Sequence, residues 1–254
     1  MTTDSSSLPS HPLIQRLLPT TTFPPLLVGE PYHCAVSGGA DSTALAVLAV
    51  GAGLKVTLWH VDHGLRPGSA AEAAVVARTA SWLGAQFRSV TVAVEPGGNL
   101  EARARRVRYG ALPRGVATGH TADDQAETVL MNQLRGAGVD GLAAMRPGPH
   151  RPLLGLRRSD TRAVCEVLGL AIVEDPSNTD PRFLRNRVRH ELLPLLEELS
   201  QRDPVPILCR QADHLRAVSD VLAEQANGVD PTDVAALRAA GEVVAAAAIR
   251  RWLA

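Results

Sequence analysis

The run Tyr32-His33-Cys34-Ala35-Val36, Ser37-Gly38-Gly39-Ala40-Asp41-Ser42 and Thr43 to Val50 decides the fold. Its first part is a short buried strand, and its last part is rich in Ala, Leu and Val at helical spacing. Between them, two glycines let the backbone turn with positive φ and come close to a ligand. The new helix then aims its free N–H groups and the positive end of its dipole at an anion. Ser37 and Ser42 add hydroxyl donors. Asp41 cannot bind phosphate directly, which casts it as a partner for Mg²⁺ or as an organiser of the loop. A glycine-rich turn with a polar cap would account for Gly38, Gly39 and Asp41 without any ligand.

The loop is not a Walker A, which needs a Lys after its glycines, and none lies between Ser37 and Gly53. A G-x-G-x-x-G dinucleotide fingerprint is also absent. Ser-Gly-Gly-x-Asp-Ser resembles the PP-loop of the N-type ATP pyrophosphatases. That resemblance implies cleavage of ATP between the α and β phosphates and adenylation of a carbonyl-type oxygen.

Working outward, strands and helices alternate. A β-rich run covers 55–61, a helix 70–84, an alternating strand 86–94, a helix 100–112, a short strand 115–118 and a helix 121–134. Such repeats predict an α/β fold, a parallel sheet with helices on both faces, whose ligands bind at the carboxyl ends of the strands. The loops after Val36, His60 and Thr118 should then share one crevice. A further helix at 160–169 and a short strand at 170–174 follow, and from Leu184 the signal is helical. The reading divides the chain into a loosely ordered extension (1–27, with a short helix at 12–18), a catalytic domain (28–200) and a helical C-terminal region (201–254). The Ala- and Leu-rich tail from Thr232 stops in mid-pattern, as a helix that continues in a longer chain would.

At 254 residues the chain holds one α/β core and an appendage. Lys and Arg total 26 and Asp and Glu total 26, so any nucleic-acid surface must come from local clustering. Cys34, Cys165 and Cys209 lie far apart with no C-x-x-C pair, which argues against a zinc ribbon, a disulfide framework or an iron–sulfur cluster. No apolar run approaches membrane-spanning length, and no signal peptide is legible, so the expected location is the cytoplasm without membrane attachment.

His120, Asp123, Asp124 and Glu127 recur at a spacing that puts them on one helix face just past a strand. Three carboxylates together repel one another unless a cation sits among them, which suits the face to an ammonium group or Mg²⁺. The competing reading makes Thr121 an N-cap and Asp124 the far half of a capping box. His60-Val61-Asp62-His63 follows the second strand and should line the crevice, although it is weak as a metal site. Two arginine-rich segments, 99–109 and 182–190, carry enough guanidinium groups for phosphate-backbone contacts. Either one alone reads better as a solvated face.

Together these blocks resemble the tRNA(Ile)-lysidine synthetase family. The resemblance runs in order through Ser37 to Ser42, His60 to Arg66, Gly98 to Glu101 with Ala104-Arg105 and Arg108-Tyr109, Gly119 to Thr128, Arg135 to Gly138, Arg151 to Leu154, Asp175 to Asn178 and Arg185 to Arg189. It implies that ATP adenylates the C2 oxygen of the wobble cytidine of an isoleucine tRNA with a CAU anticodon, and that the side-chain amine of free lysine displaces AMP. It implies ATP binding by Ser37, Gly38, Gly39, Ala40, Asp41 and Ser42 with Asp62 and His63, and Mg²⁺ at Asp41. It also implies lysine binding by Asp124 and Glu127, a reacting centre at Asp41, His120 and Arg105, and tRNA contacts from Arg185, Asn186, Arg187 and Arg189. Whether the chain forms a homodimer is left open. The rivals are a PP-loop tRNA thiolase, which usually needs paired cysteines, and a non-catalytic module that binds ATP or tRNA.

Overall fold

The computed structural model describes residues 5–25, 30–62, 69–92, 103, 107 and 110–253. The chain forms two compact units: residues 1–124 with 146–181, and residues 125–145 with 182–254. The expected boundary at 200 is therefore too late, and a stretch from the middle of the sequence groups with the C-terminal unit.

The first unit is built on a parallel sheet in the order β1 (Tyr32–Ala35), β2 (Val56–Asp62), β3 (Gln86–Thr91). Cys34 stands opposite Leu58, and Leu58 opposite Phe87. On the other side of β1 the expected strand at 115–118 is reduced to one bridge, Ala117 with Cys34. Its ladder consists of Ala117 N–H to His33 O at 2.8 Å and Ala35 N–H to Ala117 O at 2.8 Å. The expected strand at 170–174 forms no ladder: the Val173 N–H is spent on the Gly38 carbonyl at 2.9 Å.

Helix α1 (Pro12–Leu17) precedes the sheet, α2 (Ala40–Gly51) joins β1 to β2, and α3 (Ser69–Trp82) joins β2 to β3. Every residue from Thr43 to Ala49 is buried, so α2 is a core helix, and its Ala-rich composition fits close layers. Within the N-terminal segment, the described residues 5–25 are not a loose extension. Leu8 and Ile14 are fully buried and Leu17 nearly so, all in the cluster that holds Cys34, Leu45, Leu48 and Leu58. Burying each such aliphatic side chain contributes roughly 1.5–3 kcal/mol, enough to order a short segment whose Ser, Thr and Pro content disguised it.

Helix α4 (Ala122–Leu134) starts one residue later than expected, and the division between the units falls within it, after Asp124. Helix α5 is Val139–Leu142, and α6 (Arg158–Val167) belongs to the first unit. The second unit continues with α7 (Leu184–Arg187), a π-helical turn (Val188–Leu192), α8 (Leu193–Ser200), α9 (Pro204–Asn227), α10 (Val234–Ala240) and α11 (Glu242–Leu253). Asp203 caps α9 by accepting from the Val205 N–H at 3.0 Å, with Pro204 in the first turn. The expected continuous tail helix is broken at Gly241. Within this unit Gln125 clamps Met145 through both amide atoms, at 2.9 and 3.0 Å, and Ala226, Ala247 and Ala248 form a small core. Among the described residues no helix is long and apolar enough to cross a membrane.

Candidate active site

Ser37, Gly38 and Gly39 connect β1 to α2, where sequence reading placed them. Gly38 has φ +95°, and a Cβ there would stand 2.8 Å from Val173 Cγ2, so both its backbone and its neighbour demand glycine. Gly39 caps α2 in an extended conformation with no side-chain cap, leaving the dipole end to the loop. Ser42 Oγ accepts from the Ser37 N–H at 3.2 Å and donates to Gly39 O at 3.0 Å. The single Ser42 hydrogen is thereby used, so in the 3.2 Å contact between the two hydroxyls Ser37 is the donor. The loop is preorganised by its own serines.

Asp41 lies in the first turn of α2. One carboxylate oxygen accepts the Thr161 hydroxyl, and the other stands 3.5 Å from Arg158 Nε. Burial pushes the Asp41 carboxyl up from its usual range and the neighbouring Asp124 adds to that, while Thr161 and Arg158 pull it down without cancelling the shift. The next loop crosses directly over this turn: a Cβ on Gly119 would come within 2.6 Å of Asp41 O, so only glycine permits the approach.

His120 sits in that loop, ahead of α4 and not on it, with Nδ1 2.7 Å from the Thr118 hydroxyl. Asp124 accepts from the Thr121 N–H at 2.9 Å, the half of the capping box that its side chain supplies, while the Thr121 hydroxyl donates to the same carboxylate at 3.1 Å in place of accepting from the Asp124 N–H. The acidic cluster is neutralised by the chain's own arginines. Arg157 holds Asp123 with two bonds, Nε to Oδ2 at 3.1 Å and Nη2 to Oδ1 at 3.2 Å, and the Arg158 N–H adds a third at 2.8 Å. Burial raises the Asp123 carboxyl, but these bonds and the two guanidinium charges outweigh it and leave the group below its usual range. Arg158 also reaches Asp124 at 3.0 Å, so one guanidinium bridges the phosphate loop and the first turn of α4. Sequence reading missed Arg157, Arg158 and Thr161. The adjacent Arg pair beside Asp160, which closes the α6 cap by accepting from Arg157 N–H at 2.9 Å, was the available signal.

His60 lies under the loop, 2% exposed, with Nδ1 3.0 Å from Val36 O. A carbonyl only accepts, so Nδ1 carries the hydrogen, and Nε2 is buried without a partner among the described residues. Asp62 ends β2, half-buried, and its carbonyl accepts from the Val92 N–H at 2.8 Å. His63 and Arg105 lie outside the described residues, as do eight of the thirteen residues of the helix expected at 100–112. Of the three loops expected to share one crevice, the one after Thr118 packs at Gly119 on the first turn of α2, into which the loop after Val36 leads, while the one after His60 lies mostly outside the described residues.

In the second unit Glu127 is fully buried beneath two arginines. Arg189 binds it with Nε to Oε1 at 2.7 Å and Nη2 to Oε2 at 3.1 Å. Arg185 Nε stands 3.6 Å from Oε2, while its Nη2 donates to Thr128 Oγ1 at 3.2 Å. The two arginines are four apart and share a face. Arg187 points elsewhere and is exposed, paired with Glu191 at 2.9 Å, and Asn186 is buried. The π-helical turn carrying Arg189 widens the helix at this point, a feature frequent at functional sites.

Among the described residues there is no cluster of His, Cys, Asp and Glu that could hold a metal on protein ligands alone. A PP-loop domain model matches residues 23–196. The chain is 44% identical over 235 residues to the tRNA(Ile)-lysidine synthase of Rhodococcus erythropolis, covering 86% of this chain and 72% of that one. It is 45% identical over 240 residues to the tRNA(Ile)-lysidine synthase of Mycolicibacterium paratuberculosis, covering 88% and 74%. Among solved structures, the U34-tRNA thiolase NcsA of Methanococcus maripaludis superposes with a TM-score of 0.57 at 16% identity, covering 83% of this chain and 78% of that one, which shows the shared fold. With a PP-loop between β1 and α2, an ordered acidic turn beside it and this degree of identity, the chain belongs to the tRNA(Ile)-lysidine synthase family of PP-loop proteins.

Proposed function

We propose that the protein ligates lysine to C2 of the wobble cytidine in the CAU-anticodon isoleucine tRNA. ATP adenylates the C2 oxygen with release of pyrophosphate, and the lysine amine then displaces AMP. The modified base pairs as uridine would, so decoding moves from AUG to AUA and charging identity from methionine to isoleucine. The observation that carries the reading is the loop Ser37 to Ser42 on an uncapped helix start, crossed at Gly119 by the loop of His120, in a chain so similar to lysidine synthases.

The backbone N–H groups at the start of α2 and the Ser37 and Ser42 hydroxyls would hold the β and γ phosphates, exchanging the bonds the serines make to each other. Asp62 and His63 would border the nucleotide. Asp41 would hold Mg²⁺, which commonly uses one or two carboxylates and completes its shell with phosphate oxygens; one carboxylate in the first turn of α2 suits that. When bound, the ion would offset the charge that builds on the departing pyrophosphate. His120 and Arg105 would stand at the reacting centre. Asp124 and Glu127 would take the lysine ammonium groups, and because each already carries a guanidinium, lysine would bind by exchange of cations. Arg185, Asn186, Arg187 and Arg189 would face tRNA, with Arg187, exposed and held only by a surface pair, the readiest to meet a phosphate.

A sulfur-transfer role is not favoured. Burial pushes the Cys34 thiol far up and that of Cys165 up to about 12, with the Asp41 and Glu166 charges adding to the latter, so neither supplies a thiolate near neutral pH. The test is the product pair. With isoleucine tRNA, Mg²⁺, lysine and ATP, equal amounts of AMP and pyrophosphate are expected; stoichiometric ADP would sink the reading.

A further inference from the structure

Thr118 opens the loop that carries His120, directly after the Ala117 bridge. Its N–H donates to the His150 carbonyl at 3.0 Å, and its Oγ1 lies 3.2 Å from that same carbonyl oxygen and 2.7 Å from His120 Nδ1. The acceptor is itself anchored, since His150 Nδ1 stands 2.7 Å from Gly115 O. A carbonyl oxygen cannot donate, so its contact with the hydroxyl is a hydrogen bond only if the one hydroxyl hydrogen points at His150. The hydroxyl oxygen then offers lone pairs alone toward His120, and the 2.7 Å contact is a hydrogen bond only if Nδ1 carries the ring hydrogen. Both contacts are satisfied together in one tautomer.

We propose that Thr118 is a positioning residue that holds neutral His120 as the Nδ1–H tautomer, making Nε2 the acceptor that deprotonates the incoming lysine. Resting on the lysidine-forming reading, this separates two jobs His120 could do. A neutral ring held this way accepts at Nε2 and cannot donate there to a phosphate oxygen. The proton passes from the lysine ammonium nitrogen to Nε2, leaving a neutral amine and an imidazolium. The amine lone pair forms the bond to C2, the C2–O bond breaks with its electron pair departing on AMP, and the second proton of the new nitrogen leaves on the AMP phosphate. His120 immediately precedes Thr121, whose N–H and hydroxyl bind Asp124, so the proposed proton acceptor is next in the chain to the residue that holds the carboxylate proposed for lysine.

The test uses the full chain with ¹⁵N-labelled histidine, at a pH where the imidazole is neutral. The His120 resonances are assigned among the eight histidines by comparison with His120→Gln. The ¹⁵N shifts are expected to report Nδ1–H in the native chain and in Thr118→Ser. Thr118→Val keeps the shape and loses the hydroxyl; it is expected to lose the preference and to slow lysidine formation by on the order of 10²-fold, a typical worth for a positioned general base. Thr118→Ser is expected to restore the rate. Nε2–H in the native chain overturns the proposal, whether or not the Val variant folds. So does an unchanged tautomer in a folded Thr118→Val, or a Ser variant that behaves like Val. An Nδ1–H signature in a native chain that forms no lysidine would support the tautomer and overturn the functional reading alone.

Discussion

Asp41 shows how far a single side chain departs from what stability alone would select. Its carboxylate is buried at the start of α2, and burial, the largest influence on it, raises its pKa. A raised carboxylate contributes stability in full below its unfolded pKa, and that contribution is lost as pH climbs through the higher folded value. At neutral pH, Asp41→Asn is therefore expected to melt no earlier than the native chain, while losing ATP-dependent adenylation. A thermal melt and a pyrophosphate assay on the same preparation check both halves. Asp124 and Glu127 pose the complementary case. Asp124→Asn and Glu127→Gln are expected to raise the lysine requirement roughly 10- to 100-fold with ATP binding intact, because losing a charge-assisted contact costs about 1.5–3 kcal/mol. If both variants instead melt early with normal lysine dependence, the guanidinium contacts from Arg158 and Arg189 are purely structural. The loop was legible in the sequence because its chemistry is local. The partners of its acid groups were not: Arg158 lies over a hundred residues from Asp41, and no local spacing links the two.

At the level of elements, the first turn of α4 and the start of α6 are tied by one ionic lattice. Asp123 receives two bonds from the Arg157 side chain and one from the Arg158 backbone, and its carboxyl sits below the usual range despite burial. A lowered carboxylate contributes stability above its unfolded pKa, about 3.9, and that contribution fades as pH falls through the folded value below it. Asp123→Asn is expected to cost about 1.5 kcal/mol at pH 7, the low end for a charged hydrogen bond because Arg157 is partly open to solvent. The gap between the variant and the native chain should close in acid, which denaturant melts at pH 7 and pH 3 would show. A constant gap would refute the ionic origin. Elements with a strong internal period, such as α2 and β2, could be placed from sequence within a few residues. The bridge at Ala117 and the run at 170–174, which joins no ladder, could not, because neighbouring chain and not local preference decides whether a short β-rich stretch finds a ladder.

Across the whole molecule, the parallel α/β order followed from alternating periods, but the division into two units did not. Residues 125–145 group with the C-terminal helices through side-chain clamps such as Gln125 on Met145 and Arg216 on the carbonyls of Ala143 and Met145, contacts with no sequence signature. The N-terminal segment was misjudged for a related reason: three apolar anchors, Leu8, Ile14 and Leu17, outweigh a composition that suggests disorder. The family reaction, transfer of lysine to tRNA, is the claim on which the whole account rests. The decisive measurement incubates the full chain with unmodified CAU-anticodon isoleucine tRNA, ATP, Mg²⁺ and labelled lysine, then isolates the tRNA and locates the label. Label bound covalently at the wobble cytidine, appearing only with ATP and in step with AMP, is expected. ATP cleavage to AMP with no lysine in the tRNA would refute the lysidine-forming reading.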